Sequence, residues 1–323
     1  MARVAASRER NARKARSTRT RPGPIWFLGG LVVLVGLAVA AWVLTRTGSA
    51  PQESGVIATL QTLDQHALLF SPTDPNVVFF GHHNGLMRSE DGGRTWKALV
   101  DRRAFDAMQL AMGSRSNPGR VYIAGHDVFQ ASDDGGSSWR PVENNLPGTD
   151  IHQFAIDPDN SDRLTAVVVG FGIFRSADAG HTWMKLPTQP PADVTALASA
   201  GAEPEVLYVG TASSGVLRSV NGGGSWTAAS GQAGSDAAFR AVLVLAVDAS
   251  DRQTIYAGTE SGLAKSTDGG AHWAALSYPG DNAVAVAVSP ANPRIVLAVA
   301  TSPRHQGLVY RSEDGGQSWG GRR

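Results

Sequence analysis

Residues 89–96 read SEDGGRTW, and the same pattern, Ser-x-Asp-x-Gly-x-x-Trp, returns five more times along the chain. The other copies are SDDGGSSW (132–139), SADAGHTW (176–183), SVNGGGSW (219–226), STDGGAHW (266–273) and SEDGGQSW (312–319). Their tryptophans follow one another at intervals of 43 to 47 residues. A period in this range indicates a repeat architecture, most often a β-propeller. We call this eight-residue pattern the Trp motif.

Each Trp motif has the composition of a tight turn. Ser and Asp side chains bond to nearby backbone amides, Gly suits a left-handed backbone, and Trp buries a large ring while its N–H finds an acceptor. Asn221 replaces the Asp of the fourth copy, which keeps the acceptor and loses the charge. We therefore expect three positions of every copy to stabilise hairpins: Ser89, Asp91, Trp96, Ser132, Asp134, Trp139, Ser176, Asp178, Trp183, Ser219, Asn221, Trp226, Ser266, Asp268, Trp273, Ser312, Asp314 and Trp319.

The residues around each Trp motif predict four strands per repeat. An alternating apolar run such as 66–72 precedes a turn, and a second run such as 120–125 ends in Gly or Ala. A third run such as 85–89 leads into the motif, and a fourth begins at its Trp. Alternating apolar runs separated by turn residues are typical of antiparallel strands. Four strands in about 45 residues form one propeller blade.

The six repeats predict an all-β fold, a six-bladed β-propeller of four-stranded antiparallel blades over residues 55–323. The last repeat stops shortly after Trp319, so its fourth strand is nearly missing. We expect residues 55–63, GVIATLQTL, to supply that strand and close the ring. Closure removes the exposed sheet edges that favour aggregation. A chain truncated at its C-terminus is the alternative.

The first 54 residues predict a membrane anchor. A basic tail (1–24) precedes a transmembrane helix (25–45), whose twenty uncharged residues suffice to cross a hydrocarbon core of about 30 Å. Basic residues stay on the cytoplasmic side, so the linker (46–54) and the propeller are expected outside a bacterial cell membrane. Cleavage after Ala50 would instead give a secreted protein.

Charge and cysteine content exclude several classes of function. Eight basic residues and Glu9 make the tail strongly positive, so the rest of a chain of net charge +1 carries −6. The propeller therefore has no charge pattern for binding nucleic acid. The chain has no cysteine, which excludes disulfides and thiolate metal sites.

One face of the predicted propeller collects acidic and histidine residues. Because strands alternate in direction, the loop before each first strand and the hairpin between the second and third strands emerge on one face, opposite the Trp motifs. One position before the first strand holds, in blades one to six, Asp64, Asp106, Asp150, Asp193, Ala241 and Asn282. Five histidines and one arginine fall nearby: His66, His82, His83, His126, His152 and Arg240.

This pattern has two interpretations. In the first, Asp64, Asp106 and Asp150 form with the five histidines and Arg240 an acidic pocket at the channel mouth for a cation, a sugar or a peptide. Carboxylates and imidazoles are zinc ligands, so a divalent metal at this rim is one variant, although the sequence requires no cofactor. In the second, each Asp caps the turn into its strand and the histidines fill the inner rim.

The Trp motifs resemble the BNR or Asp-box repeats of the sialidase-like superfamily. The segments HALLFSPTDPN (66–76) and DIHQFAIDPD (150–159) are similar to bacterial proteins often labelled glycosylhydrolase or exo-alpha-sialidase. The resemblance implies the fold and leaves the activity open. The Arg-Ile-Pro signature of sialidases is absent before Ser89, and the tyrosines of the second strands occupy equivalent positions: Tyr122, Tyr208 and Tyr256. The sialidase residue set therefore does not transfer.

Two functions remain. A glycoside hydrolase needs only two carboxylates flanking the scissile bond, and the candidates are Asp64, Asp106, Asp150, Asp193 and Glu260. A binding propeller is the rival, similar to the photosystem assembly factors that share the repeat, with an envelope protein or a glycan as its ligand. Short hairpins between second and third strands leave little material for an enzyme cleft. We therefore expect a membrane-anchored binding propeller, with glycoside hydrolysis as the alternative.

Overall fold

The computed structural model describes residues 55–62, 64–101, 105–113, 117–229 and 241–320, which form six antiparallel sheets of four strands. Blade one contains β2 (Ala67–Phe70), β3 (Val78–His82), β4 (Gly85–Ser89) and β5 (Lys97–Asp101). Blade two contains β6 (Gln109–Met112), β7 (Val121–Gly125), β8 (Val128–Ser132) and β9 (Arg140–Pro141). Blade three contains β10 (Ile151–Asp157), β11 (Asn160–Val168), β12 (Gly172–Ser176) and β13 (Met184–Lys185).

The next two blades repeat this order. Blade four contains β14 (Val194–Ser199), β15 (Leu207–Thr211), β16 (Gly215–Ser219) and β17 (Thr227–Ala228). Blade five contains β18 (Val242–Asp248), β19 (Asp251–Thr259), β20 (Gly262–Ser266) and β21 (Ala274–Ala275). In each of the first five blades, the strands are hydrogen-bonded in the order in which they occur along the chain.

Blade six joins the two ends of the propeller. It contains β22 (Ala285–Val288), β23 (Val296–Thr301) and β24 (Gly307–Ser312), and its fourth strand is β1 (Val56–Leu60). Strand β1 pairs antiparallel with β24, with Thr59 opposite Leu308 and Leu60 opposite Gly307. The predicted closure of the ring by the segment before the first repeat is confirmed.

The hydrophobic core lies between neighbouring blades. Each described interface between two blades has its own cluster of buried side chains, as where Leu60 of blade six packs near Phe80 of blade one. The second strand β7 is buried along its whole length and the last six residues of β19 are buried, whereas the fourth strands β9, β13, β17 and β21 are exposed. Burial is therefore greatest at the middle of each blade, which explains the continuous apolar runs of the second strands.

The Trp motifs form the turns between third and fourth strands, as expected from their composition. In the first copy, the Ser89 hydroxyl donates to Asp91 Oδ1 (2.8 Å) and accepts the Gly93 N–H (2.9 Å). Asp91 Oδ1 also accepts the Thr95 N–H (2.8 Å), and Trp96 Nε1 donates to the Gly93 carbonyl (2.9 Å). The bond from glycine N–H to serine hydroxyl is present in all six copies at 2.8–2.9 Å. The motifs stabilise the hairpins.

Tyrosines of the second strands tie neighbouring blades together. Tyr122, Tyr208 and Tyr256 are buried, and burial raises the pKa of each phenol. The Tyr256 hydroxyl donates to the carbonyl of Gly315 in the next blade's Trp motif (2.9 Å). The other two phenols reach the corresponding turns of their next blades at 3.4 Å. The three tyrosines of equivalent position therefore have the same structural role.

The Trp-motif carboxylates predict a loss of stability in acid. A hydrogen bond from the Thr182 hydroxyl is the main cause that lowers the pKa of Asp178 to about 2, and the Ser318 hydroxyl does the same for Asp314. A depressed pKa stabilises the folded state above the unfolded value of about 3.9, and this contribution disappears as pH falls toward 2. We expect the urea midpoint to fall between about pH 4 and pH 2.

A matched variant isolates this effect. Asp178→Asn and Asp314→Asn together copy the natural Asn221, whose side-chain oxygen accepts the Ser225 N–H (2.9 Å). The double variant keeps the Oδ1 acceptors, replaces each Oδ2 by an N–H₂ donor as in Asn221, and removes two titrating groups, so its midpoint should change less over the same pH range. An identical acid profile for the two proteins would show that Asp178 and Asp314 do not contribute to the acid response.

The predicted N-terminal elements lie outside the described residues: the basic tail (1–24), the transmembrane helix (25–45) and the linker (46–54). Among the residues that the structure describes, no helix has the length and apolar character needed to span a membrane.

Candidate functional site

Seven aspartate and histidine side chains meet at one end of the channel. They come from the loops before first strands, from the second-to-third-strand hairpins, and from the start of β10. We call them the Asp–His array: Asp64, His66, His83, Asp106, His126, Asp150 and His152. His66 also lines the channel wall, so the array lies at the channel mouth.

Two aspartates orient two histidines in the same way. Asp64 Oδ2 accepts a hydrogen bond from His83 Nδ1, and Asp106 Oδ2 accepts one from His126 Nδ1. An imidazole that donates through Nδ1 presents the lone pair of Nε2 on its other side. In both cases Nε2 lies 3.2 Å from the Nε2 of a second histidine, His66 for His83 and His152 for His126.

The array continues from blade to blade. His83 Nε2 lies 3.9 Å from Asp106 Oδ2, which links blade one to blade two. His126 Nε2 lies 3.6 Å from Asp150 Oδ1, which links blade two to blade three. The rings of His83 and His126 stack with their centroids 6.2 Å apart. Three carboxylates and four imidazoles therefore form one continuous polar surface across three blades.

Burial and charge differ along the array. The Asp106 side chain is 8% exposed, whereas His83, His126 and His152 are 40–46% exposed. Burial lowers the pKa of His66 despite its neighbouring carboxylates. The hydrogen bond to Asp106 is the main cause that raises the pKa of His126. The pKa of His66 in blade one is thus lowered, whereas the pKa of His126 in blade two is raised.

Several residues that the sequence placed at this site lie apart from the array. The His82 ring stacks over Phe80, its Nδ1 accepts the Asn84 N–H (3.3 Å), and burial lowers its pKa. Asp193 accepts a hydrogen bond from Ser213 (2.5 Å), and Glu260 is exposed and joins none of the Asp/His groups found among the described residues. Arg240 lies outside the described residues.

In blade six, where Asn282 occupies the position of the Asp, the side chain bonds to the end of the second strand and not to the turn into its own strand. Asn282 Oδ1 accepts the Thr301 N–H (2.8 Å), and its Nδ2 donates to the Thr301 carbonyl (3.1 Å). Asp64 likewise bonds to the hairpin between the second and third strands: its Oδ1 accepts the His83 N–H (3.0 Å) and its Oδ2 accepts a hydrogen bond from the His83 ring. Sequence alignment of the repeats found the common Asp position but not its pairing with the hairpin histidine.

The channel below the array is mainly apolar. Its cavity of about 230 Å³ is lined by the first strands of all six blades, chiefly through Ala, Val and Leu. His66, Gln109 and Gln153 supply its polar lining, and no carboxylate occurs among the described residues that line it. The described channel wall therefore lacks the two carboxylates that glycoside hydrolysis requires.

The chain resembles two kinds of propeller protein. The family described as photosynthesis system II assembly factor YCF48 matches residues 59–190, which contain blades one to three. A xyloglucanase from Paenibacillus sp. is 28% identical over 216 residues, covering 55% of this chain and 21% of that protein. This chain thus spans about a fifth of that curated relative.

Solved structures show the same propeller fold. The GH74 xyloglucanase from Xanthomonas campestris has a TM-score of 0.58 and 20% identity over 82% of this chain and 46% of its own. YCF48 bound to the D1 peptide has a TM-score of 0.50 and 17% identity over 81% of this chain and 82% of its own. At such identities the likeness concerns the fold.

Proposed function

We propose that this protein binds a polypeptide partner at its channel mouth through the Asp–His array. The observation that carries the proposal is the continuity of the array: seven polar side chains from three blades form one connected cluster, in which His83, His126, His152 and Asp150 are partly exposed to solvent. The match to the YCF48 family covers the same three blades and includes every array residue. The structure of YCF48 with a D1 peptide supports a peptide as the type of ligand.

The chemistry of the mouth favours a basic segment of the partner. Asp64 and Asp150 are partly exposed carboxylates, which pair with Arg or Lys through charge-assisted hydrogen bonds. The chain beyond its basic tail carries a net charge of −6, which attracts cationic partners over longer distances. The apolar channel beneath the array offers space for one apolar side chain of the partner.

We further propose that this recognition occurs at a bacterial membrane. A single-pass anchor over residues 25–45, with its basic tail in the cytoplasm, would hold the propeller on the extracytoplasmic side. Partners in or near the same membrane then meet the mouth at high effective concentration.

Glycoside hydrolysis is the second candidate, favoured by the similarity to the xyloglucanase. A hydrolase requires two carboxylates on either side of the scissile bond. Asp64, Asp106 and Asp150 are the carboxylates at the mouth, and each lies beside an imidazole. Asp106 is also largely buried, which leaves Asp64 and Asp150 as the accessible pair.

Site-specific photo-crosslinking in cells of the source organism tests the binding proposal. A photoreactive residue at Asn84, in the β3–β4 hairpin, should form adducts with a polypeptide, and these should decrease at least tenfold in the double variant Asp64→Asn/Asp150→Asn. The same probe at Ser137, in an exposed Trp-motif turn, is the matched control. Equal adducts at both positions, or adducts unaffected by the double variant, would contradict the proposal.

The purified full chain, tested in mild detergent for sugar release from xyloglucan, separates the two candidates. We expect no release above that of the double variant. Release that depends on Asp64 and Asp150 would instead assign the mouth to hydrolysis.

A further inference from the structure

Three ligand atoms at the blade-three end of the array have the spacing of a metal site. His126 Nε2 and His152 Nε2 are 3.2 Å apart. Asp150 Oδ1 is 3.0 Å from His152 Nε2 and 3.6 Å from His126 Nε2. Bonds of about 2.0–2.1 Å to a tetrahedral Zn²⁺ place neighbouring ligand atoms about 3.3 Å apart. The three atoms therefore match three corners of a zinc tetrahedron.

A buried carboxylate holds His126 in the orientation that ligation requires. Asp106 Oδ2 accepts the His126 Nδ1–H, which turns the Nε2 lone pair toward His152 and Asp150. Metal-binding histidines usually donate their second N–H to a carboxylate in this way. The Asp106 side chain is more than nine-tenths buried, and its Oδ1 has no hydrogen-bond partner among the described residues.

Asp150 provides a second, independent indication. Its Oδ1 is buried and makes no hydrogen bond among the described residues, although His152 Nε2 is only 3.0 Å away. A buried carboxylate oxygen without a donor is costly unless a cation compensates its charge. The unpaired oxygen and the two Nε2 atoms point to one common ion.

The other two Asp/His groups of the array lack this geometry. In the group of Asp64, His66 and His83, the Asp64 carboxylate reaches His83 through Nδ1, whereas His66 lies near both His83 ring nitrogens. In the group of His83, Asp106 and His126, Asp106 already accepts a hydrogen bond from His126 Nδ1. His66 Nε2 lies 3.7 Å from Asp64 Oδ1, whereas His152 Nε2 lies 3.0 Å from Asp150 Oδ1, so the blade-three group has the more compact ligand set.

We propose that His126, Asp150 and His152 bind one Zn²⁺ or a similar divalent transition metal, with Asp106 as the positioning residue. The three ligands are about two-fifths exposed, so the fourth coordination position opens to solvent. An open position allows a water molecule or a donor group of a bound partner to complete the tetrahedron. The site stands on its own geometry and does not depend on the identity of the partner proposed above.

Calorimetric titration of the metal-free full chain with ZnCl₂, in mild detergent, tests the site. We expect one Zn²⁺ per chain with a micromolar or lower Kd. His152→Ala and Asp150→Asn should each weaken binding more than a hundredfold, and Asp106→Asn about ten- to a hundredfold. Co²⁺ in place of Zn²⁺ should give the visible absorption of a tetrahedral complex.

Two neighbouring histidines provide matched controls. His82→Ala and His66→Ala remove imidazoles from the same rim without touching the three ligands, so both variants should bind Zn²⁺ as the unsubstituted protein does. The urea midpoints of all variants establish that they fold. Absence of binding, or binding that survives His152→Ala, would overturn the proposal. Because Asp150 belongs to both proposals, His152→Ala, which removes a metal ligand but no carboxylate, separates them: it should abolish Zn²⁺ binding and leave the crosslinking at Asn84 in place.

Discussion

A permuted chain that begins at Leu63, continues to Gly320, and then runs from Gly55 to Thr62 should fold into the same propeller. A chain that begins at Asp64 and lacks β1 should lose about 5 kcal/mol or more of stability and unfold without cooperativity. The permutation places the fourth strand of blade six after its Trp motif, as in the other blades. The two residues that the permutation connects, Gly320 and Gly55, already lie close together, because a Cβ added at Gly320 would be 3.3 Å from Gly55 Cα.

The physical reason is the dual role of β1. It pairs with β24, which without it becomes an edge with unpaired N–H and C=O groups. It also carries Leu60, 1% exposed, into the core between blades six and one. Losing one buried leucine side chain costs about 2–5 kcal/mol by itself, a large part of the 5–15 kcal/mol that is typical of a whole domain.

Urea unfolding followed by tryptophan fluorescence and circular dichroism measures both chains against residues 53–323 in natural order. The permuted chain should have a midpoint close to that of the natural order. A truncated chain with the same midpoint and slope as the permuted chain would show that blade six is stable without β1.

Gly258→Ala and Gly125→Ala should each destabilise the propeller by about 1–3 kcal/mol. An added Cβ at Gly258 would lie 2.3 Å from the Ala283 carbonyl oxygen, and at Gly125 it would lie 2.2 Å from that of Asp106. At Gly258 the segment before the first strand of the next blade must move away, and at Gly125 the segment before the first strand of the same blade must do so. Since alanine is otherwise favoured over glycine in a strand by about 0.5–1 kcal/mol, a loss would come from this contact.

Blade six supplies the matched control. Ala300 pairs with Leu308 as Gly258 pairs with Leu263, so blade six holds an alanine at the equivalent position. Ala300→Gly should cost only about 0.5–1 kcal/mol. Gly125→Ala should also weaken Zn²⁺ binding because it displaces Asp106, whereas Gly258→Ala should leave it unchanged. A Gly258→Ala protein as stable as the unsubstituted one would contradict the close approach of the blades.

The repeat chemistry made most of the fold predictable. Each Trp motif acts through bonds within eight residues, as in the Ser89–Gly93 turn, so its effect is visible in the local sequence. Six such turns at a regular interval predict six blades of similar structure. The strand before the first repeat was predictable for the same reason, since the last repeat lacks a fourth strand and a closed ring needs one.

The composition of the candidate site was predictable, but its pairing was not. Repeat alignment located Asp64, Asp106 and Asp150 and the histidines around them. It did not distinguish His83, which turns toward Asp64, from His82, which stacks over Phe80, because the path of the hairpin decides between neighbouring residues. It also grouped Asp193 with the other aspartates, although Ser213 is its partner.

The sequence by itself determined the blades, their closure and the face that carries the acidic and histidine residues, because these features follow from turns and alternation that act over a few residues. Only the tertiary structure decided that His126 of blade two meets Asp150 and His152 of blade three. That contact depends on how closely two blades pack and on the ring orientation that Asp106 imposes. Distances between separate strands of this kind are set by packing across the whole ring.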